Sequence, residues 1–113
     1  MGLISEYREV TRLLRKKQAV VFYAESRHYY QYFEGLINEL TEKRGIPLCY
    51  ITSDKRDPVL KEHSPGVMAV YCKWMLGFLF KRIRADVMVL TITDLGNYVI
   101  SRSPHVREYV YIF

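Results

Sequence analysis

Apolar residues recur along this chain in two rhythms, and the switches between them mark out its elements. Over residues 3 to 17, Leu3, Tyr7, Val10 and Leu14 fall on one stripe with Ile4 and Leu13 beside it, which is helical spacing. Ser5 is read as a weak cap from which that helix starts, and its last turn is basic, as suits a helix C-terminus. The run "AVVFYAE", residues 19 to 25, is β-branched, aromatic and of strand length. Ser26 then caps a segment in which Tyr29, Tyr32, Phe33, Leu36, Ile37 and Leu40 repeat at three and four residues, and Gly45 ends it where a left-handed cap is expected.

The same alternation continues to the end of the chain. "PLCYITSD", residues 47 to 54, reads as a second strand, and "KRDPVLKEHSPG" as a loop in which Pro58 and Pro65 exclude regular structure. "VMAVYC", residues 67 to 72, is a third strand. "WMLGFLFKRIR", residues 74 to 84, is a helix whose first seven residues carry no charge, so it is either deeply buried or faces something apolar. Residues 86 to 92 form a fourth strand, Leu95 to Val99 a short helical turn, and "VREYVYIF", residues 106 to 113, a last strand.

Strands that are apolar throughout, without strict alternation, are covered on both faces, as in parallel sheets. Separated by helix-length segments, they build βαβ units. The expectation is therefore an α/β fold: a Rossmann-like three-layer sandwich of about five mostly parallel strands with helices on both faces, preceded by an N-terminal helix. A chain of 113 residues is one domain, 1–113, with no internal repeat or boundary. Because natural chain ends are usually polar, the apolar end at Phe113 leads us to expect the N-terminal half of a longer two-domain protein.

Composition changes this picture only in part. Half of the residues are hydrophobic and 26% are charged, which is globular rather than disordered. The ten tyrosines place hydroxyls at the rim of a core or an interface. A net charge of +5 favours polyanionic partners, with a solvated basic face as the plainer reading. Within it, Arg8, Arg12, Arg15, Lys16 and Lys17 make the first helix the candidate for contact with an anionic membrane surface. No run approaches the roughly 18 apolar residues of a membrane span, so the expected location is cytoplasmic, peripheral at the inner face of the membrane. Cys49 and Cys72 lie in apolar runs and are expected to be buried free thiols.

Ligands of open α/β sheets bind outside the carboxyl ends of the strands. That rule selects Glu25, Ser26, Arg27 and His28 with Tyr29 after the first strand, Thr52, Ser53 and Asp54 after the second, and Thr91, Thr93, Asp94 and Asn97 after the fourth. Free N–H groups at the helix starts after Ser26 and near Asp94 suit a phosphate or carboxylate, although both residues also serve as caps. Asp54 and Asp57 offer a cation or sugar-hydroxyl site, against which stands pairing with Lys55 and Arg56 or a turn-stabilising role. The chain has no G-x-G-x-x-G, no P-loop, no H-E-x-x-H and no metal spacing of its two cysteines, so neither cofactor nor catalytic metal is expected. Without an RNP1-like strand or a helix-turn-helix, nucleic acid is not an expected partner either.

Taken together, "VVFYAESRHYYQYFEGLINEL", "YITSDKRDPVL" and "ADVMVLTITDLGNYVISRSPHVREYVYIF" resemble the N-terminal part of CDP-glycerol glycerophosphotransferase-like proteins, GT-B-type transferases of teichoic acid and other envelope polymers. The similarity spans roughly residues 19 to 113. Thr93, Asp94, Leu95, Gly96 and Asn97 match the family's segment after the fourth strand, and Ser101 to Ser103 its small basic stretch. The resemblance implies two Rossmann-like halves with the active site between them. This chain would then be the half facing a polymer or glycolipid acceptor, inactive alone, and its partner the C-terminal donor-binding domain of the same protein. The family's strand runs on into a histidine-containing segment that has no counterpart before Phe113, so no catalytic residue is assigned. The alternative is a free-standing flavodoxin-like module that binds a protein or a small anion.

Overall fold

The computed structural model describes residues 2–63, 65–91 and 105–112. Helix α1 (Leu3–Leu14) precedes strand β1 (Gln18–Ala24); a 3-10 turn (Arg27–Tyr29), helix α2 (Tyr30–Asn38) and a π-helical turn (Glu39–Lys43) then lead to β2 (Leu48–Thr52). A second 3-10 turn (Pro58–Leu60) connects to β3 (Val67–Tyr71), and α3 (Leu76–Arg82) connects to β4 (Ala85–Thr91), followed by β5 (Val106–Ile112). The helical turn expected at Leu95 to Val99 lies outside the described residues.

The five strands form one parallel sheet in the order β3-β2-β1-β4-β5. The chain winds outward from β1 to β3, and α3 then carries it back across the sheet to β4 on the other side of β1. This is the doubly wound topology of a Rossmann-like domain, as the apolar runs predict. Those runs are apolar throughout because each sheet face has its own core. Val21, Tyr23, Cys49, Ile51, Val70 and Met88 pack under α1 and α3, against Val10, Leu13, Leu79 and Phe80. Val20, Phe22, Leu48, Tyr50, Val67 and Val89 pack under α2, against Phe33 and Ile37. Rings fill the second core edge to face, with Phe22 and Phe33 centroids 5.3 Å apart. Both cysteines are buried free thiols, as their apolar neighbours predict.

Gly45 adopts a left-handed φ of 62°, and the N–H of Ile46 donates to the carbonyl of Leu40, which closes the π-helical turn. Ser26 caps as expected, its Oγ accepting the N–H of His28 at 3.0 Å.

Helix α1 departs from its expected orientation. It starts at Leu3 on Gly2 without any side-chain cap, so Ser5 is not the cap. Its buried residues are Glu6, Val10 and Leu13, whereas Leu3 and Tyr7, expected on the buried stripe, are 59% and 54% exposed. A carboxylate has replaced the first apolar positions on the inward face, for the reason given below. The helix also ends at Leu14 rather than at 17, because side chains take over its last carbonyls: Gln18 donates to Leu13, and Arg84 to Leu14 and Arg15. Lys16 and Lys17 therefore lie beyond the helix, and Lys17 pairs with Asp86 at 2.6 Å. Arg8, Arg12 and Arg15 keep helical spacing, with Arg12 held by Glu9 at 2.6 Å.

Helix α3 spans Leu76–Arg82 rather than residues 74 to 84 and is buried along one face only. Leu76, Leu79 and Phe80 face the core, while Phe78 is exposed beneath the Arg82 guanidinium, 4.0 Å from its ring. Trp74, just before the helix, is 75% exposed.

Candidate functional site: a charged cleft at the strand ends

Parallel strands deliver their chain to the same edge, so the loops after β1, β2 and β3 converge. Three polar knots hold them there. In the first, the Asp54 carboxylate accepts the Arg27 N–H at 3.0 Å and the Arg56 N–H at 2.9 Å, and forms an ion pair with the Arg27 guanidinium at 3.1 Å. Burial works to raise the Asp54 pKa, but the two backbone donors and the Arg27 charge outweigh it and hold the carboxyl below its ordinary value. Asp54 therefore ties the β2 loop to the β1 loop.

The second knot is the buried Asp57, which accepts from Thr52 Oγ1 at 2.9 Å and caps the 3-10 turn through the Val59 N–H at 3.1 Å. In the third, Ser53 Oγ donates to the Cys72 carbonyl at 2.7 Å, so the 2.8 Å contact with Tyr23 is donated by the tyrosine hydroxyl. Neither aspartate pairs with the side chains of Lys55 or Arg56 among the described residues, contrary to one sequence reading. Both instead stabilise turns, which is the other.

Helix α1 supplies the remaining wall. The chain leaving β3 presents backbone N–H groups with no partner in the sheet, and Glu6 reaches them: its Oε2 accepts from Met75 at 2.6 Å, Lys73 at 3.1 Å and the Cys72 thiol at 3.6 Å. Glu6 is 3% exposed, and this contact is why α1 turns a carboxylate inward. Burial first, and then the Glu6 charge, push the Cys72 thiol up to about 12. Such a thiol stays protonated at neutral pH and is no nucleophile.

Between these walls lies an open cleft of about 740 Å³. Its cations are Arg27, Lys55, Arg56 and Lys73, and its carboxylates Glu6, Glu25 and Asp54. Leu3, Tyr71 and Trp74 add apolar and aromatic surface, and the Lys73 ammonium lies 5.7 Å from the Trp74 ring centre. Arg27 and Asp54 neutralise each other. Among the described residues Lys55, Arg56 and Lys73 have no carboxylate partner.

Of the residues singled out from sequence, the cleft brings together Glu25, Arg27, Ser53 and Asp54. Ser26 serves as a cap, and His28 and Tyr29 do not line the cleft; Tyr29 instead packs toward the α2-side core, 6.4 Å from the Tyr32 ring. Thr91 ends β4, while Thr93, Asp94 and Asn97 lie outside the described residues. The sequence reading missed Lys55, Arg56, Lys73, Trp74 and Glu6. The first two were visible as the basic pair in "SDKRDP", on the loop the strand-end rule selects. Glu6 left no local signal.

Fold and cleft together define a doubly wound α/β domain with a charged cleft at the strand ends. Comparison with protein-family models, with curated proteins and with solved structures finds no match. Among the described residues no helix is long and apolar enough to cross a membrane, and no group of three His, Cys, Asp or Glu side chains could hold a metal ion.

Proposed function

We propose that this chain is the acceptor-side domain of a CDP-glycerol glycerophosphotransferase-like or related envelope-polymer transferase, and that its cleft holds the phosphate-bearing acceptor. One observation carries the reading: Lys55, Arg56 and Lys73, unpaired among the described residues, converge at the carboxyl ends of β2 and β3, where an open α/β sheet takes its ligand. The donor-binding half and the reaction itself belong to a further domain in this reading. Titration with a short poly(glycerol phosphate) oligomer tests it. Binding that weakens as salt rises is expected, whereas absence of binding at low salt, or turnover of a CDP-linked donor by these residues alone, would sink it.

A membrane-facing role for α1 belongs to the same proposal. The observation favouring it is that Leu3, Ile4 and Tyr7 are exposed on the helix that carries Arg8 and is followed directly by Arg15. Co-sedimentation with anionic liposomes, lost on changing Ile4 and Tyr7 to Ser, is the expected result, and sedimentation unaffected by both changes would refute it.

A further inference from the structure

Charge and exposed apolar surface are divided unevenly between the two helical layers. On the α2 side Arg27 pairs with Asp54, and Lys43 and Arg44 pair with Glu39. On the α1 and α3 side Arg8, Arg15, Lys73, Lys81 and Arg82 are exposed and have no carboxylate partner among the described residues. The acids of that side are withdrawn, since Glu6 is buried and Glu9 is paired with Arg12. The same side carries Leu3, Ile4, Tyr7, Trp74 and Phe78, five of the eight large hydrophobic residues that stand exposed among those described.

Two sets of contacts fix how these residues sit together. Helices α1 and α3 pack on the same sheet face, through Val10 and Leu13 and through Leu79 and Phe80. Glu6 joins their starts by accepting the N–H groups of Lys73 and Met75, and Arg84 joins their ends by donating to the carbonyls of Leu14 and Arg15. The helices therefore run side by side in one direction. Leu3, Ile4, Tyr7, Trp74 and Phe78 all belong to the starting end of the pair, the end at which Leu3 and Trp74 line the cleft. Arg15, Lys81 and Arg82 belong to the other end.

We infer that this apolar corner docks on an anionic bilayer with anchors from two segments, Leu3, Ile4 and Tyr7 of α1 and Trp74 and Phe78 beside and on α3, and with the cations behind them against lipid headgroups. Clustered apolar side chains left in water are unfavourable, and exposed patches of this kind mark interaction sites. A bilayer surface answers both halves of the pattern, because its acyl boundary takes aliphatic and aromatic side chains while its headgroups attract Lys and Arg. A polyanion such as nucleic acid would answer the cations alone. The inference rests on the membrane-facing role proposed for α1. It adds a second anchor at the start of α3, which brings the mouth of the cleft to the headgroup layer.

Trp74 is the only tryptophan of the chain, so its emission reports the α3 anchor by itself. The full chain is titrated with vesicles of phosphatidylcholine and phosphatidylglycerol, with and without brominated acyl chains. Expected are binding that weakens as salt rises, a blue shift of the Trp74 emission and its quenching by the brominated lipid. Changing Trp74→Ser and Phe78→Ser together should weaken co-sedimentation about tenfold, the scale of partly burying two aromatic side chains. Vesicle binding that leaves the Trp74 emission unquenched, or co-sedimentation undiminished in the double variant, would overturn the inference and leave the role of α1 standing. Binding to polyglutamate as tight as to the vesicles would overturn it in favour of an acidic protein partner. If no vesicle binds, both readings fall. The quenching measurement needs no variant, so the question stays decidable even where the double variant fails to fold.

Discussion

The carboxylate of Glu6 accepts a 2.6 Å hydrogen bond from the backbone N–H of Met75, 69 residues away in the chain. With the parallel bond from Lys73, it fastens the N-terminal helix to the loop that leaves β3. Removing it should leave two backbone donors without a partner. Glu6→Ala is expected to lower the unfolding free energy by about 3 kcal/mol and Glu6→Gln by about 1 kcal/mol, measured by urea denaturation. Equal small losses for both would show that the anchor contributes little.

The orientation of α1 makes an unusual contrast testable on one helix. Leu13 is buried and Leu3 is 59% exposed, although the apolar spacing puts Leu3 on the stripe and Leu13 only beside it. Leu13→Ala should cost about 2–4 kcal/mol, whereas Leu3→Ala should stay within about 0.5 kcal/mol. The reverse ranking would mean that the helix packs on its other face.

Asp54 couples folding to acid. Its folded pKa lies below the ordinary carboxylate value, held there by the Arg27 and Arg56 donors against the effect of burial. The unfolded chain therefore takes up a proton first as pH falls, and the stabilisation is full above about pH 4, the unfolded value. It is lost as pH drops through the lower folded value. In Asp54→Asn this part of the acid-induced loss should disappear; an unchanged pH profile of stability below pH 5 would count against the clamp.

The two thiols should behave as core groups. Burial raises both Cys49 and Cys72 to about 12. Iodoacetamide at pH 8 is expected to leave the folded protein unmodified and to label both cysteines in denaturant, read by intact mass. Stoichiometric labelling of Cys72 in the folded state would show that α1 does not seal that side of the sheet.

The cleft cations should matter for binding and little for folding. Lys55, Arg56 and Lys73 are exposed and pair with no carboxylate among the described residues. Lys55→Gln, Arg56→Gln and Lys73→Gln together should weaken binding of a phosphate ester at least tenfold and flatten its salt dependence, with a shift in stability below about 0.5 kcal/mol. Undiminished affinity would move the phosphate site elsewhere.

Much of this architecture was legible one element at a time. "AVVFYAE", "PLCYITSD" and "VMAVYC" are apolar without alternation because β1, β2 and β3 are covered on both faces, and that pattern is a local property of the chain. The Ser26 cap and the Gly45 turn were readable for the same reason, since each is satisfied within a few residues. The strand-end rule then placed Glu25, Arg27, Ser53 and Asp54 at the right edge of the sheet.

The sequence by itself determined which segments are strands and helices, and that the sheet is doubly covered. Only the tertiary structure decided which polar groups meet. The stripe Leu3, Tyr7, Val10 and Leu14 gave way to Glu6, Val10 and Leu13 because the N–H groups of Lys73 and Met75, unsatisfied at the end of β3, needed an acceptor. Periodicity measures where apolar side chains can be buried along one helix. It carries no record of a backbone donor that folding brings alongside from the far side of the sequence.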